Sequence, residues 1–482
     1  MSDDVIAELL RHCKSTFGID LSPSSGPREL RAAGLAMLKS LVQLGRAAMR
    51  VWYQQLGDGD MGSQVIRNGV RYRRVDKRPK TIHGLFGWVT YVRVCYARLD
   101  GGGAGWAPLD EQLGVQRGYA PDCQYFMACF CGRQPYQESL DHFHEVFRAD
   151  DQEKVSMHKA HEMTCAVNRG LEQQRQQEIT EYLEEGARVA VQEPITDTMA
   201  VCIDAGKVPT RANENVDDAG AKSYECQYRD AKVATVSAVQ KPKDTDEPAP
   251  ADEPAAEDED DEVRLTNTSC VTGIEHADAF FPRIEVEMQR RSAQVAALSL
   301  VIIGDGAGWI WDRVADLAER GQKVWHILDF WHACDHLAKI ARSLHGDGTA
   351  AFKKCFKRWR GMLRSSRGAE VIEELTKLRD SGEHPALRDD LQGEIDYFTA
   401  NAQRMDYRRY RELGLPIGSG TVESACKNVV AARMKQSGMM WGMPGATGML
   451  QLRASLKSRR FRSDHEALLP LSPPQETERM AA

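Results

Sequence analysis

With 482 residues the chain exceeds one ordinary domain and suits two or three, and a 42% hydrophobic content can fill real cores. No apolar run approaches the roughly 20 residues that span a membrane; the strongest, residues 298–303, is strand-sized. The net charge of −7 argues against a polyanionic partner, but residues 244–262 hold eleven acids and no Lys or Arg; without them the balance is about +4, and binding follows the local field rather than the total.

The opening Met1, Ser2, Asp3, Asp4 lacks a basic-then-apolar signal pattern. Twelve cysteines without an export signal read as reduced thiols, so a soluble, cytoplasmic protein is expected. Cys129 and Cys131 stand too close for a CxxC zinc knuckle.

Residues 1–60 predict helix, with Leu9, Leu10, Met37, Leu38, Leu41 and Leu44 at near-helical spacing. A basic and strand-containing region follows over 61–134. It holds Arg67, Arg71, Arg73, Arg74, Lys77, Arg78 and Lys80, then a strand at 88–99 and a break at Gly101, Gly102 and Gly103. Residues 135–195 read as helical: one helix over 136–147, a turn at 149–151 and a long helix from near Ser156. Such a pair suits either a helix-turn-helix DNA reader or an ordinary helical hairpin.

The pattern then switches. Strands are expected at 199–203, 232–239, 266–272, 298–303 and 324–328, with helices at 278–291 and 309–320. This is a mixed α/β sheet flanked by helices, the first part of a core over 196–329. Within it, 242–262 lacks the apolar residues needed to fold and reads as a disordered loop; the alternative is a mimic of DNA charge covering a basic surface. A helical insertion is expected over 330–412, a return to the core over 413–465 with its final helix from near Thr421, and a disordered tail over 466–482.

Three carboxylates stand out. Asp204 and Asp305 each follow an apolar β run directly, which puts them at the carboxyl ends of strands, where α/β sheets bind ligands. Glycines on both sides of Asp305 leave space beside its carboxylate. Glu423 follows the tight loop Pro416-Ile417-Gly418-Ser419-Gly420 and falls in the first turn of a helix, where the helix dipole favours an acid. The blander reading is a first-turn residue paired with Lys427 one turn on. Together the three suit magnesium or manganese, which take oxygen ligands. Two such ions about 3.5–4 Å apart clamp both oxygens of a phosphodiester displacement.

His332 and His336 share a helix face, half of a zinc site, but Ala333 stands where the HExxH motif needs Glu. Facing the active site and a buried, hydrogen-bonded role are the alternatives. Over 352–367, Phe352, Phe356, Trp359 and Leu363 form an apolar stripe beside a basic one of Lys353, Lys357, Arg360, Arg364 and Arg367. A helix there can bury the first and offer the second to phosphates, or simply present a solvated basic face. Lys427, Arg433 and Lys435 are further expected phosphate contacts, and Trp441 suits either stacking on a base or packing.

Several phrases recur in order. They are 107–114 (Ala-Pro-Leu-Asp-Glu-Gln-Leu-Gly), 304–311 (Gly-Asp-Gly-Ala-Gly-Trp-Ile-Trp), 328–332 (Leu-Asp-Phe-Trp-His), 416–423 (Pro-Ile-Gly-Ser-Gly-Thr-Val-Glu) and 433–441 (Arg-Met-Lys-Gln-Ser-Gly-Met-Met-Trp). In this order they resemble DDE-superfamily insertion-sequence transposases of the ISKra group, over most of residues 84–455. The resemblance implies an RNase H-like core, with Asp204 on the first strand, Asp305 after the fourth and Glu423 on a late helix. It implies two magnesium or manganese ions on these carboxylates, a helical insertion before the last, and cleavage and strand transfer on double-stranded DNA, both element ends and target. An N-terminal end-recognising region and a homo-oligomer on DNA are also implied. Asp329 to His332 fits the (C/D)xxH signature of related Mutator-like transposases, with His332 orienting the scissile phosphate.

There are departures. Relatives often carry a CxxC knuckle before the 107–114 phrase, whereas Cys95 is followed by Arg98 and glycines, so no zinc is expected there. Ala205 stands where relatives often have Gly, and Asp217 and Asp218 are alternative first carboxylates with no predicted strand before them. The rival functions are a retired derivative that binds DNA without cutting, a zinc-dependent hydrolase using His332 and His336, and a structural nucleoid protein.

Overall fold

The computed structural model describes residues 11, 14, 15, 26–115, 117–147, 154–216, 222–241, 263–469 and 477–479. Two compact units emerge: Met1–Leu171 with Phe461–Ala482, and Glu172–Arg460. No described helix is long and apolar enough to cross a membrane.

In the first unit, helix α1 (Pro27–Gln55) starts with proline at its first turn, where the missing N–H costs nothing. It buries Val42 and Tyr53, the latter stacked on Tyr91. Strands β1 (Gln64–Arg67), β2 (Val70–Gly84) and β3 (Gly87–Arg98) form an antiparallel meander. The sequence pattern missed β2 because its charges mask any alternation. Four of those charges are answered locally: Arg74 pairs with Asp60, Lys77 with Asp58, Arg78 with Asp76 and Lys80 with Asp110, while Arg67 on β1 pairs with Glu111. The 107–114 phrase is therefore a structural staple: Asp110 also accepts from the Tyr91 hydroxyl, and Glu111 from the Trp106 indole.

Helices α2 (Pro121–Cys131), α3 (Tyr136–Phe147) and α4 (Met157–Glu185) share an apolar core of Cys123, Met127, Leu140, Phe143 and Met163. On α3, Glu138, Asp141 and Glu145 are exposed, acids that would repel phosphates and that favour the ordinary helical hairpin of the two alternatives. The boundary between the units falls inside α4.

The second unit is a mixed α/β domain around a five-stranded sheet. Its strands are β4 (Thr198–Val216), β5 (Lys222–Gln240), β6 (Arg264–Gly273), β7 (Ser299–Gly304) and β8 (Val324–Leu328), in the order β6-β5-β4-β7-β8. The first three are antiparallel, and β7 and β8 run parallel to β4. Helix α5 (Ala277–Arg291) covers one face, packing Phe280, Phe281, Ile284 and Met288 on Met199, Val201, Ile203, Leu300 and Ile302. Strand alternation sends Ala200, Cys202 and Asp204, and likewise Val301, Ile303 and Asp305, to the opposite face.

The helical insertion holds α6 (Phe330–His345), α7 (Ala350–Arg364), α8 (Gly368–Asp380), α9 (Arg388–Ala400) and α10 (Tyr407–Glu412). Then come α11 (Gly420–Ala425), continued by a π turn over Cys426–Ala431, and α12 (Met443–Lys457).

Four expectations change. Strand β4 does not end at Asp204 but runs on to Val216, paired there with β5. Residues 309–320 form only a short helix, Gly308–Trp311, and a 3-10 turn, Val314–Leu317. The helix from residue 420 is not the last, since α12 and Phe461–Ala467 follow. The tail expected from 466 includes Thr477–Arg479, a strand paired with β1. Leu9, Leu10, Asp217, Asp218, the 149–151 turn and the 242–262 segment lie outside the described residues.

Candidate active site

Asp204 and Asp305 lie side by side. Parallel pairing of β4 with β7 ends at Ile203 opposite Gly304, so the next residue on each strand is an aspartate at the same level. Neighbouring strands are about 4.8 Å apart. Burial holds the Asp204 carboxyl above its ordinary range, and the negative charge of Asp305 raises it further; His332 acts in the opposite sense. Asp204 accepts from its neighbour's amide, Ala205 N, at 2.6 Å, and from the Cys426 thiol at 3.4 Å. Asp305 accepts from Ala307 N at 2.9 Å, closing a turn around Gly306, whose φ of +97° suits glycine.

A third aspartate ends the third parallel strand. Leu328 pairs with Gly304, and Asp329 follows it. Its carboxylate is spent on structure: one oxygen caps α6 through His332 N at 2.8 Å, and the other accepts from Ser419 N at 2.6 Å. Asp329 thus ties the Gly418–Gly420 loop to the sheet edge. Thr421 adds a second tie, its hydroxyl 2.9 Å from that of Thr235 on β5.

Glu423 is held in the neighbourhood of the pair but is not joined to it. Cys426, which touches Asp204, lies three residues on, about 4.5 Å along a helix. The Glu423 side chain is 62% exposed and pairs with Lys427 at 2.8 Å, the blander reading. Among the described residues no three His, Cys, Asp or Glu side chains form a ready-made metal group. The donor chemistry still fits a divalent cation: two carboxylates lie level on neighbouring strands, and burial and the adjacent Asp305 charge disfavour ionisation of Asp204.

His332 and His336 face each other, Nε2 to Nε2 at 3.3 Å. His336 Nδ1 lies 2.6 Å from Glu394 Oε2, and its ring stacks on Tyr397 at 3.9 Å. Tyr397 donates its hydroxyl to the Asp305 carbonyl at 3.0 Å. The insertion helix α9 therefore braces both the histidine pair and the Asp305 turn. Sequence reasoning missed Cys426, Glu394 and Tyr397. Only Cys426 left a signal, its i,i+3 spacing from Glu423.

The expected DNA contacts divide. Lys353, Lys357 and Lys435 are exposed, and Arg360 and Arg364 are half-buried. On α7, Trp359 and Leu363 are buried as the stripe predicts. Arg367 lies beyond α7 and pairs with Glu370. Arg433 is corrected: it is 0% exposed, its guanidinium 5.1 Å from the Trp441 ring centroid, so it packs instead of reaching a phosphate. Trp441 is half-buried; its indole donates to Met434 O at 3.1 Å and its backbone bridges to Thr210, contacts that fit the packing alternative.

A groove of about 1150 Å³ runs beside Glu423. Arg264, Arg364, Arg408, Arg411 and Trp331 line it, with Glu412. No protein-family model matches the chain, and no curated protein matches it.

Proposed function

We propose that the chain is a DNA transposase of the DDE type with an RNase H-like core, cutting and rejoining strands at Asp204, Asp305 and Glu423. The observation that carries this reading is the register of β4 and β7, which brings Asp204 and Asp305 level with each other, burial and the charge of Asp305 holding the Asp204 carboxyl above its ordinary range. The strand order β6-β5-β4-β7-β8, three antiparallel and two parallel, suits such a core. So does an all-helical insertion between β8 and the helix bearing Glu423.

Asp204 and Asp305 would hold magnesium or manganese, with Glu423 released from Lys427 to join them. When bound, the two ions supply a nucleophile at neutral pH and stabilise the leaving oxygen. The protein's own part is positioning. Asp329 fixes the loop that leads to Glu423, Cys426 steadies the Asp204 carboxylate, and Tyr397 holds the Asp305 turn. His332, oriented by His336, faces the scissile phosphate. Lys353, Lys357, Arg360 and Arg364 meet backbone phosphates, which position without reading sequence. Element ends and target are double-stranded DNA, and joining two ends calls for more than one copy of the chain.

The test is Asp305→Asn in a manganese-dependent cleavage assay on plasmid carrying the DNA that flanks the gene. Loss of nicking by more than a hundredfold with unchanged DNA binding is expected. Cleavage that survives the substitution refutes the mechanism, and a wild-type chain that binds but never cuts leaves the binding-only derivative. A zinc hydrolase would instead retain stoichiometric zinc through dialysis. Among the described residues, the His332–His336 pair has no third ligand to complete such a site.

A further inference from the structure

Two ring nitrogens on α6 stand at the spacing of two ligands of one metal ion. His332 and His336 are four residues apart, so they share a face of the helix, and both are half-buried. Their Nε2 atoms are 3.3 Å apart. That is long for a hydrogen bond. It matches the edge of a tetrahedral site, because two nitrogens each about 2.0–2.1 Å from one zinc ion stand about 3.3–3.4 Å from each other.

The surroundings prepare His336 as a ligand. Glu394 on α9 is buried, and its Oε2 lies 2.6 Å from His336 Nδ1. An ionised carboxylate can only accept, so neutral His336 carries its proton on Nδ1 and leaves the Nε2 lone pair for an ion. A carboxylate behind a histidine in this way fixes the tautomer and makes the ring a more basic ligand. Tyr397 adds to the orientation: its ring stacks on that of His336 at 3.9 Å with 10° between the planes, and its hydroxyl is anchored on the Asp305 carbonyl. The other Glu394 oxygen lies 3.7 Å from Lys339, an exposed cation that also lies 3.6 Å from Asp390. His332 is held at its backbone, where its amide donates to Asp329.

We propose that His332 and His336 form a clip for one zinc ion, bound through both Nε2 atoms with water in the remaining positions. The clip does not depend on the transposase chemistry. It is a second ion site of a different kind, since carboxylate oxygens suit magnesium and manganese, whereas imidazole suits zinc. With two protein ligands instead of the three of a catalytic zinc site, the ion is exchangeable and comes off against a chelator. While bound, it fixes the His332 ring and ties α6 to α9 through the His336–Glu394 contact.

The test needs no DNA. The full chain is stripped with a chelator and titrated with zinc chloride near neutral pH in millimolar magnesium, with binding followed by calorimetry. X-ray absorption at the zinc edge of the one-to-one wild-type complex should show two imidazoles and otherwise oxygen. Sulfur ligands would give the ion to cysteines and overturn the clip, and this arm requires no variant to fold. His332→Ala and His336→Ala should each weaken zinc binding by more than about tenfold. Glu394→Gln should keep the ion but bind it roughly 10- to 100-fold more weakly, the usual effect of removing the carboxylate behind a histidine ligand. Zinc affinity within about twofold of wild type in both histidine variants, or displacement of zinc by the magnesium, overturns the assignment. A chain that binds zinc through these histidines but never cuts DNA keeps the clip and loses the transposase reading; one that cuts DNA without histidine-bound zinc does the reverse.

Discussion

Replacing Gly306 by alanine probes how tightly the insertion helix α9 holds the Asp305 turn. Two costs add. The first is backbone: Gly306 has a φ of +97°, and an L-residue in a left-handed conformation costs about 1–2 kcal/mol. The second is space. The new Cβ would lie 2.6 Å from Tyr397 Cε2, 3.1 Å from Asn401 Nδ2 and 3.2 Å from Leu328 Cδ1. Overpacking of this kind costs about 1–3 kcal/mol, so a total loss of roughly 2–5 kcal/mol is expected. Gly348→Ala is the control, because Gly348 has a φ of +71° but nothing within 4 Å of the added carbon. Denaturant midpoints followed by tryptophan fluorescence give both costs, and the cleavage assay gives the functional effect. Gly306→Ala should lose clearly more stability than Gly348→Ala, and should lose activity as Tyr397 leaves the Asp305 carbonyl. Equal losses in the two variants would refute the bracing of Asp305 by α9.

Two further predictions concern buried charge. Glu287 is fully buried on α5 between Arg460, 3.0 Å away, and Arg290, 2.9 Å away. Burial opposes its ionisation, but the two guanidiniums more than offset this and bring its pKa down from 4.5 to about 2. Because the folded value lies below the unfolded one, the stabilisation is complete above pH 4.5 and fades as pH falls towards 2. Its size is roughly 3 kcal/mol, so Glu287→Gln should lower the unfolding midpoint at pH 7 and flatten the acid limb of stability against pH; an unchanged acid limb would deny the carboxylate this role. Arg433→Ala should cost about 2 kcal/mol or more by unpairing its buried surroundings, and should reduce DNA affinity only in proportion to unfolded protein. A full-strength fold with selective loss of DNA binding would return Arg433 to the phosphate contacts.

Much of the core was readable because its strands are short apolar runs. Residues 324–328 are a strand over the predicted span, and α3 matches the 136–147 helix. The reading failed where one signal hid another. Ala205 and Gly206 look like a turn, yet β4 continues through them because β5 still pairs alongside after β7 has stopped. Strand β2 looks like a basic stretch, since the acids that pair with it come from residues 58, 60, 76 and 110. Arg433 looks like surface, yet it is buried with its guanidinium over the Trp441 ring. Asp204 and Asp305 were legible from their preceding strands. The braces that hold them, Tyr397 and Glu394, were not, because a helix packed from the insertion leaves no local pattern.

The pairing of Gln240 with Arg264 has a consequence for how this chain can vary. The hairpin ends of β5 and β6 are already fixed there, so the connection over 241–263 only has to close. Loop-closure entropy grows with the logarithm of length, and stretching such a connection from about five residues to its present length costs roughly 1.3 kcal/mol. Insertions and charge changes between those two residues are therefore thermodynamically cheap. The strands they join have no such latitude. A one-residue slip of β4 would turn Asp204 towards α5 and away from Asp305. Variation in length and composition should accordingly concentrate between residues 240 and 264, while the sheet on either side keeps its register.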